Sequence, residues 1–360
     1  MLVSTSPSPA AAPQREPVAQ PREHRHDVDL MRLVGSATVI FTHTSATLIH
    51  ATDDDRANGP GVYWVGHIGD AMGAFAVPLF FAIAGWAVLV GASPRDEPRI
   101  WARIVRNSVP LFVWSLGYVA WAWLRDRNED PTSDLAVQAF FGSIRPAYHL
   151  WFMYAYIPIM ALLALMVLVR NGKHPWRLGL ALLGVAAGPA VLATLAEVTG
   201  RDDLPSFGWG FGTYQMVYAV GGALLIGLPH RVSHRYRWAL VATLLVSMAG
   251  AVWYDTTIHY PLPNAHLFVG VATICVILLL NRVRVPERWR PRLSRLAGAA
   301  LGAYLVHVFF VEEVVVPIVS ADLSAPLAAL ELVALVAVTL VLSYGASMLW
   351  GRLGLRRWLG

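Results

Sequence analysis

Residues 149–170 read HLWFMYAYIPIMALLALMVLVR, and the one charged residue in the run, Arg170, stands at its end. A hydrocarbon core of ~30 Å asks a helix for about 20 apolar residues, which this stretch supplies. Nine others read the same way: 31–50, 72–92, 107–125, 178–197, 208–228, 238–254, 266–281, 297–319 and 326–350. Composition agrees. Of 360 residues, 56% are hydrophobic and 14% charged, with mean hydropathy +0.51, where a soluble domain carries about 25% charged residues. These values exclude a disordered chain and an ordinary soluble enzyme. The net charge of +5 does not point to nucleic acid, because the basic residues sit between the apolar runs. The expected fold is an all-α membrane protein, a bundle of about ten transmembrane helices. Internal prolines such as Pro110, Pro158 and Pro189 are tolerated better there than in soluble helices.

Orientation follows from where the positive charge lies. The N-terminal flank, alternate loops and the C-terminus hold 23 of the 28 basic residues, with Arg95, Arg99, Arg103 and Arg106 in one loop. The opposite loops hold only Arg56, Arg125, Arg127, Arg145 and Arg201, beside acidic clusters such as Asp53-Asp54-Asp55 and Asp202-Asp203. Ten spans then put both termini in the cytoplasm. Residues 1–28, rich in Pro, Ser, Ala and Gln, are expected to be a disordered cytoplasmic tail. Residues 29–350 form the membrane domain, and 351–360 a short basic tail. All basic residues but Lys173 are arginine, and Ala and Gly abound, a bias typical of GC-rich bacterial genomes. The expected location is a bacterial cytoplasmic membrane. Cys275 lies inside an apolar run and reads as core.

An ionisable side chain within a span is costly unless paired or hydrated, so each one is a candidate for function. Asp29-Leu-Met-Arg32 opens the first span and His43 follows Arg32 by eleven residues. Eleven steps make about three helical turns, so the two share a face ~16 Å apart along the axis, with His43 near the midplane. Ser36, Thr47 and His50 continue that stripe. His43 fits a general base for a hydroxyl nucleophile, or a structural histidine bonded across helices. Arg99, Arg103 and Arg106 are spaced four and three apart on one face before Pro110. They fit anionic-lipid contact, or a phosphate clamp acting with Arg32. Tyr304 and His307 share a face of the ninth stretch, and Glu312 and Glu313 follow towards the outer interface. The two carboxylates are either solvated, or orient a histidine or a polar acceptor. His67 and Asp70 precede the second stretch, and His149 and Trp151 open the fourth. Trp151 alone would be an interfacial aromatic. His259 and His266 lack metal-ligand spacing, and no metal is expected.

At these residues the chain resembles the acyltransferase 3 family of bacterial membrane O-acyltransferases, across essentially residues 29–350. The matching motifs are Asp29-Leu-Met-Arg32 with His43, Val77-Pro-Leu-Phe-Phe-Ala-Ile-Ala-Gly85-Trp86, Arg103-Ile-Val-Arg106 before Val109-Pro110, His149-Leu-Trp-Phe-Met-Tyr154, and Tyr304-Leu-Val-His307. The resemblance implies acyl-CoA, usually acetyl-CoA, as a donor used from the cytoplasm. It implies a hydroxyl acceptor, commonly a sugar of an envelope glycan or glycolipid. By the same resemblance His43 is the catalytic residue and Arg32, Arg103 and Arg106 hold the CoA phosphates. Asp29, Arg99, Tyr304, His307, His149, Trp151, Glu312 and Glu313 are possible supports, Tyr304 as an oxyanion stabiliser. Ala84 departs from the family's usual serine. Direct attack of the hydroxyl on the thioester and an acyl-histidine relay both fit, as do acetyl, succinyl or longer acyl groups. Outside this class, a transporter or flippase of an envelope glycan or lipid is the alternative. Membrane lipids are expected partners and nucleic acid is not.

Overall fold

The computed structural model describes residues 24–360 except 92, 93, 95, 129, 143–146, 202, 203 and 206. Residues 1–23 of the expected tail, and Arg95, Arg145, Asp202 and Asp203, lie outside the described residues. The fold is all-α, with 80% helix and no strand among the described residues. In chain order the helices are α1 His26–Ala51, α2 Pro60–Gly73, α3 Ala76–Trp86, α4 Glu97–Leu124, α5 Thr132–Phe140, α6 Trp151–Arg170 and α7 Trp176–Thr199. There follow α8 Thr213–Gly227, α9 His234–Thr257, α10 Leu267–Leu280, α11 Arg290–Phe310, α12 Ala325–Arg352 and the short α13 Arg356–Leu359.

Each of the ten apolar stretches overlaps a helix, and among the described residues six helical segments are long and apolar enough to cross a membrane. Three boundaries differ from expectation. Helix α1 begins at His26, inside the stretch expected as tail. The second stretch is helical from Pro60, because Pro at the first turn starts α2 well before the apolar run. Helix α4 begins at Glu97, where the Asp96 carboxylate accepts the Arg99 amide at 3.0 Å, so Arg99, Arg103 and Arg106 are helical and not in a loop.

Burial separates inner helices from outer ones. The apolar part of α6 is 67% buried, whereas that of α7 is 11% and that of α9 17%. Leu180, Leu183, Val191 and Val198 of α7 are exposed. A helix apolar all round and open on most sides requires lipid around it. Inside the bundle, hydroxyls return to their own helix: Thr44, Ser115, Thr273 and Thr339 each donate to the carbonyl four residues back.

Helices α3 and α8 cross closely. A side chain on Gly85 would strike the Ala219 backbone, and one on Gly222 would strike Ala82. Small residues here replace side-chain interdigitation with backbone approach. Gly85→Val is expected to cost about 3 kcal/mol. A thermal melt in detergent checks it, with lipid-facing Leu183→Val as the control expected to move by less than about 0.5 kcal/mol.

At one end of the bundle Arg25 ties four helices together. Its guanidinium donates to Asp27 at 2.7 Å from both Nε and Nη2, to Asn281 at 2.9 Å and to the Ile226 carbonyl at 3.3 Å. It also lies 5.3 Å from the Trp86 ring centre. Asp27 in turn accepts the Arg282 amide at 2.6 Å. Ala84 is buried in the main apolar core and lines neither of the cavities described next.

Candidate active site

Helix α1 runs between two cavities. Its first half lines one of about 660 Å³, with Asp29, Arg32, Arg103, Arg106 and Tyr156 in the wall. Its second half lines another of about 740 Å³, with His43, His50, Asp70, Tyr148 and Trp151 in the wall. The arginine cavity and the His43 cavity thus divide the stripe read on α1. Each has a π-helical segment in its wall: Ala87–Gly91 in the first and Val311–Val315 in the second. Such segments are rare and cluster at functional sites.

In the arginine cavity, Arg32 pairs with Asp29 at 3.2 Å. Asp29 is further held by Ser294 at 2.7 Å and His24 at 2.6 Å. Arg103 and Arg106 make no hydrogen bond or ion pair with a described residue, so both guanidiniums are open to a ligand. The Tyr156 phenol lies within the field of all three arginines. Arg99 is not part of this wall. It is exposed and paired with Asp96 at 3.2 Å, because one turn before Arg103 the helix has passed beyond the cavity. Arg25 and Arg282 also line the cavity but are committed to structural bonds. His24, His26 and Asp29 bring one ligand atom each within 4.8 Å of one another, a grouping the search for metal spacing in the sequence missed.

In the His43 cavity the imidazole stands at the wall with its Nδ1 3.4 Å from the Tyr148 hydroxyl. His307 packs against it at 5.1 Å between ring centres, and His149 lies 5.2 Å beyond His307. Backbone carbonyls fix the tautomers of these two. His307 Nδ1 donates to the Tyr304 carbonyl at 2.5 Å, and His149 Nε2 to the Leu305 carbonyl at 3.3 Å. Their other ring nitrogens, Nε2 of His307 and Nδ1 of His149, are buried acceptors without a partner. Both histidines sit behind His43 and not in the cavity wall.

The support is a hydroxyl set into α11. Tyr118 Oη donates to the Leu305 carbonyl at 3.0 Å and accepts the Phe309 amide at 3.1 Å. A side chain placed within the helix ladder in this way deforms it, and α11 passes into its π-helical segment two residues later. Tyr118→Phe leaves the Phe309 amide without this partner and is expected to cost about 1–3 kcal/mol. A melting curve in detergent, with Tyr148→Phe alongside as a substitution that breaks no ladder, measures it.

Several expected supports are otherwise engaged. The Tyr304 hydroxyl donates to the His149 backbone carbonyl, so it is unavailable as an oxyanion donor. Glu313 is held by Arg125 at 3.1 Å and by the Trp121 indole at 3.1 Å, facing away from the cavity. Glu312 does line the cavity and pairs with Arg127 at 3.4 Å. Ser36 leaves the stripe to bond Tyr344 of α12. Sequence reading missed Tyr148, although it precedes His149 directly, and Tyr260, whose loop carries no motif. Burial first, and then the charges of Asp70, Asp255 and Asp54, hold the Tyr260 phenol well above its ordinary pKa and therefore protonated.

The helical bundle, with apolar helices turned outward, places His43 at one cavity and Arg32, Arg103 and Arg106 at the other, the architecture of a membrane protein. Residues 25–348 match the family described as "Acyltransferase domain", and the chain belongs to this acyltransferase 3 family. No curated protein and no solved structure matches the chain. The protein is a membrane acyltransferase.

Proposed function

We propose that the protein is an O-acyltransferase that takes an acyl group, acetyl in the simplest case, from cytoplasmic acyl-CoA. The acceptor is a hydroxyl presented from the other side, on a cell-envelope sugar or glycolipid. The observation that carries this reading is the pair of cavities on one helix: Arg103 and Arg106, unpaired among the described residues, beside Arg32 at one end, and His43 at the other. Guanidinium forks match phosphate oxygens, so the CoA phosphates seat in the arginine cavity. The pantetheine arm spans the ~16 Å of α1 between Arg32 and His43. His43 takes the proton of the acceptor hydroxyl, and the oxygen attacks the thioester carbonyl. The carbon–sulfur bond then breaks, and the imidazolium returns its proton to the CoA thiolate. Ester and free CoA thiol are the products. Holding both reactants in line supplies much of the rate. Ten spans, both termini in the cytoplasm and a bacterial cytoplasmic membrane complete the proposal, and arginine distribution supports that orientation.

The test is acetyl-CoA turnover by the purified protein in nanodiscs. Free-thiol release that rises when membrane-lipid or envelope-glycan extract is added supports the reading. Absence of both acetyl-CoA binding and turnover contradicts it.

A further inference from the structure

The two cavities differ in charge. Among the described residues no Lys or Arg lines the His43 cavity, whose acids are Glu312 and Asp70. Glu312 is answered by Arg127. Asp70 makes no hydrogen bond or ion pair with any described residue. Asp255 of α9, which packs on α2, stands within electrostatic reach of it. Asp255 is 5% exposed, and neither carboxylate oxygen accepts a well-formed hydrogen bond although the Leu262 amide faces it. Asp54 adds a third carboxylate to the group, bonded at 3.0 Å to the fully buried His67, whose Nδ1 has no partner. The Tyr260 ring covers His67 at 5.2 Å and itself lines the cavity.

A buried carboxylate without a positive partner is costly unless it takes up a proton, and a cation or several donors arriving at this wall relieves that cost. A bare metal ion fits poorly. Among the described residues the only grouping with ligand-atom spacing is His24, His26 and Asp29, at the other cavity. An ammonium group on a larger molecule fits better, since its three N–H donors diverge and can be shared between spaced acceptors. Trp151, Tyr148 and Tyr260 add aromatic faces that favour a cation and the C–H face of a sugar ring. A cavity of about 740 Å³ is about 11 Å across if spherical, so the amine and the reacting hydroxyl belong to one sugar-sized unit.

We infer that the His43 cavity is built for a polyhydroxylated acceptor bearing a protonated amine, seated on Asp70 with Asp255 behind it, and that it rejects anionic acceptors. This rests on the acyltransferase reading above for the identity of the cavity as the acceptor site.

The test measures binding without acyl-CoA. Saturation-transfer NMR titrations on protein in nanodiscs use three water-soluble probes: the methyl glycosides of glucosamine, glucose and glucuronic acid. The glucosaminide is expected to bind at least about tenfold more tightly than the glucoside, and the glucuronide at least about tenfold more weakly. In Asp70→Asn the first preference falls to within about twofold, while acetyl-CoA binding at the arginine cavity stays at the wild-type level and reports an intact fold. Asp255→Asn, behind the wall, narrows the preference in the same direction. Binding of none of the probes, a glucuronide as tight as the glucosaminide, or a preference intact in Asp70→Asn overturns the inference. A selective amine site in a protein that never releases CoA thiol would keep this inference and refute the donor assignment instead.

Discussion

His43→Ala is expected to lower CoA-thiol release in the presence of acceptor by about 10³-fold, with acetyl-CoA binding unchanged. A positioned general base is worth about 10²–10⁴ in rate, and no neighbour can replace this one. His307 and His149 lie behind the wall, each held in a single tautomer by a backbone carbonyl. Tyr148 reaches His43 Nδ1 but is itself a phenol and a weak base. Donor binding survives because Arg32 lies about three helical turns away on α1. His43→Gln, which keeps much of the volume and loses the base, is expected to behave as the alanine variant does. That agreement separates lost chemistry from lost packing.

Arg103→Ala/Arg106→Ala is expected to produce the complementary phenotype: acetyl-CoA affinity reduced by about 10²-fold or more, with turnover at saturating donor within a few-fold of wild type. Hydrogen bonds to charged groups contribute about 1.5–3 kcal/mol each, and every 1.4 kcal/mol is tenfold. Since neither guanidinium is bonded to a described residue, removing them breaks no ion pair among those residues. The melting temperature should therefore change little. Equilibrium dialysis against labelled acetyl-CoA, over a range of ionic strength, gives the affinity. Arg99→Ala is the internal control, because Arg99 lies outside the cavity with its own partner, and affinity should stay at the wild-type value.

The helices were legible because lipid-facing segments announce themselves locally. Residues 149–170 need only their own composition to be read as a helix, and α6 occupies that stretch. Helix α2 was half missed because His67, Asp70 and three of its glycines dilute the apolar signal between residues 60 and 73. The face shared by Arg32 and His43 was legible because both stand on one helix with a fixed period. What remained hidden depended on partners far away in sequence. Nothing beside Tyr304 indicates that its hydroxyl is spent on the His149 carbonyl. Nothing beside Tyr118 indicates that it stands in α11 between Leu305 and Phe309. Arg99 shares the spacing of Arg103 and Arg106, yet helical period alone does not tell where the bundle ends. The π-helical segments have no signature of their own, and the one after α11 follows the point where Tyr118 of another helix enters the ladder.

The most direct test of the central claim follows one sample through both steps. Wild-type and His43→Ala proteins in nanodiscs are loaded with labelled acetyl-CoA, bound donor is counted, and thiol release is followed over a single turnover with glycan extract as acceptor. The account predicts equal loading, with release in His43→Ala slowed by about 10³-fold. Equal loading with release at the wild-type rate would remove His43 from the chemistry and contradict the account.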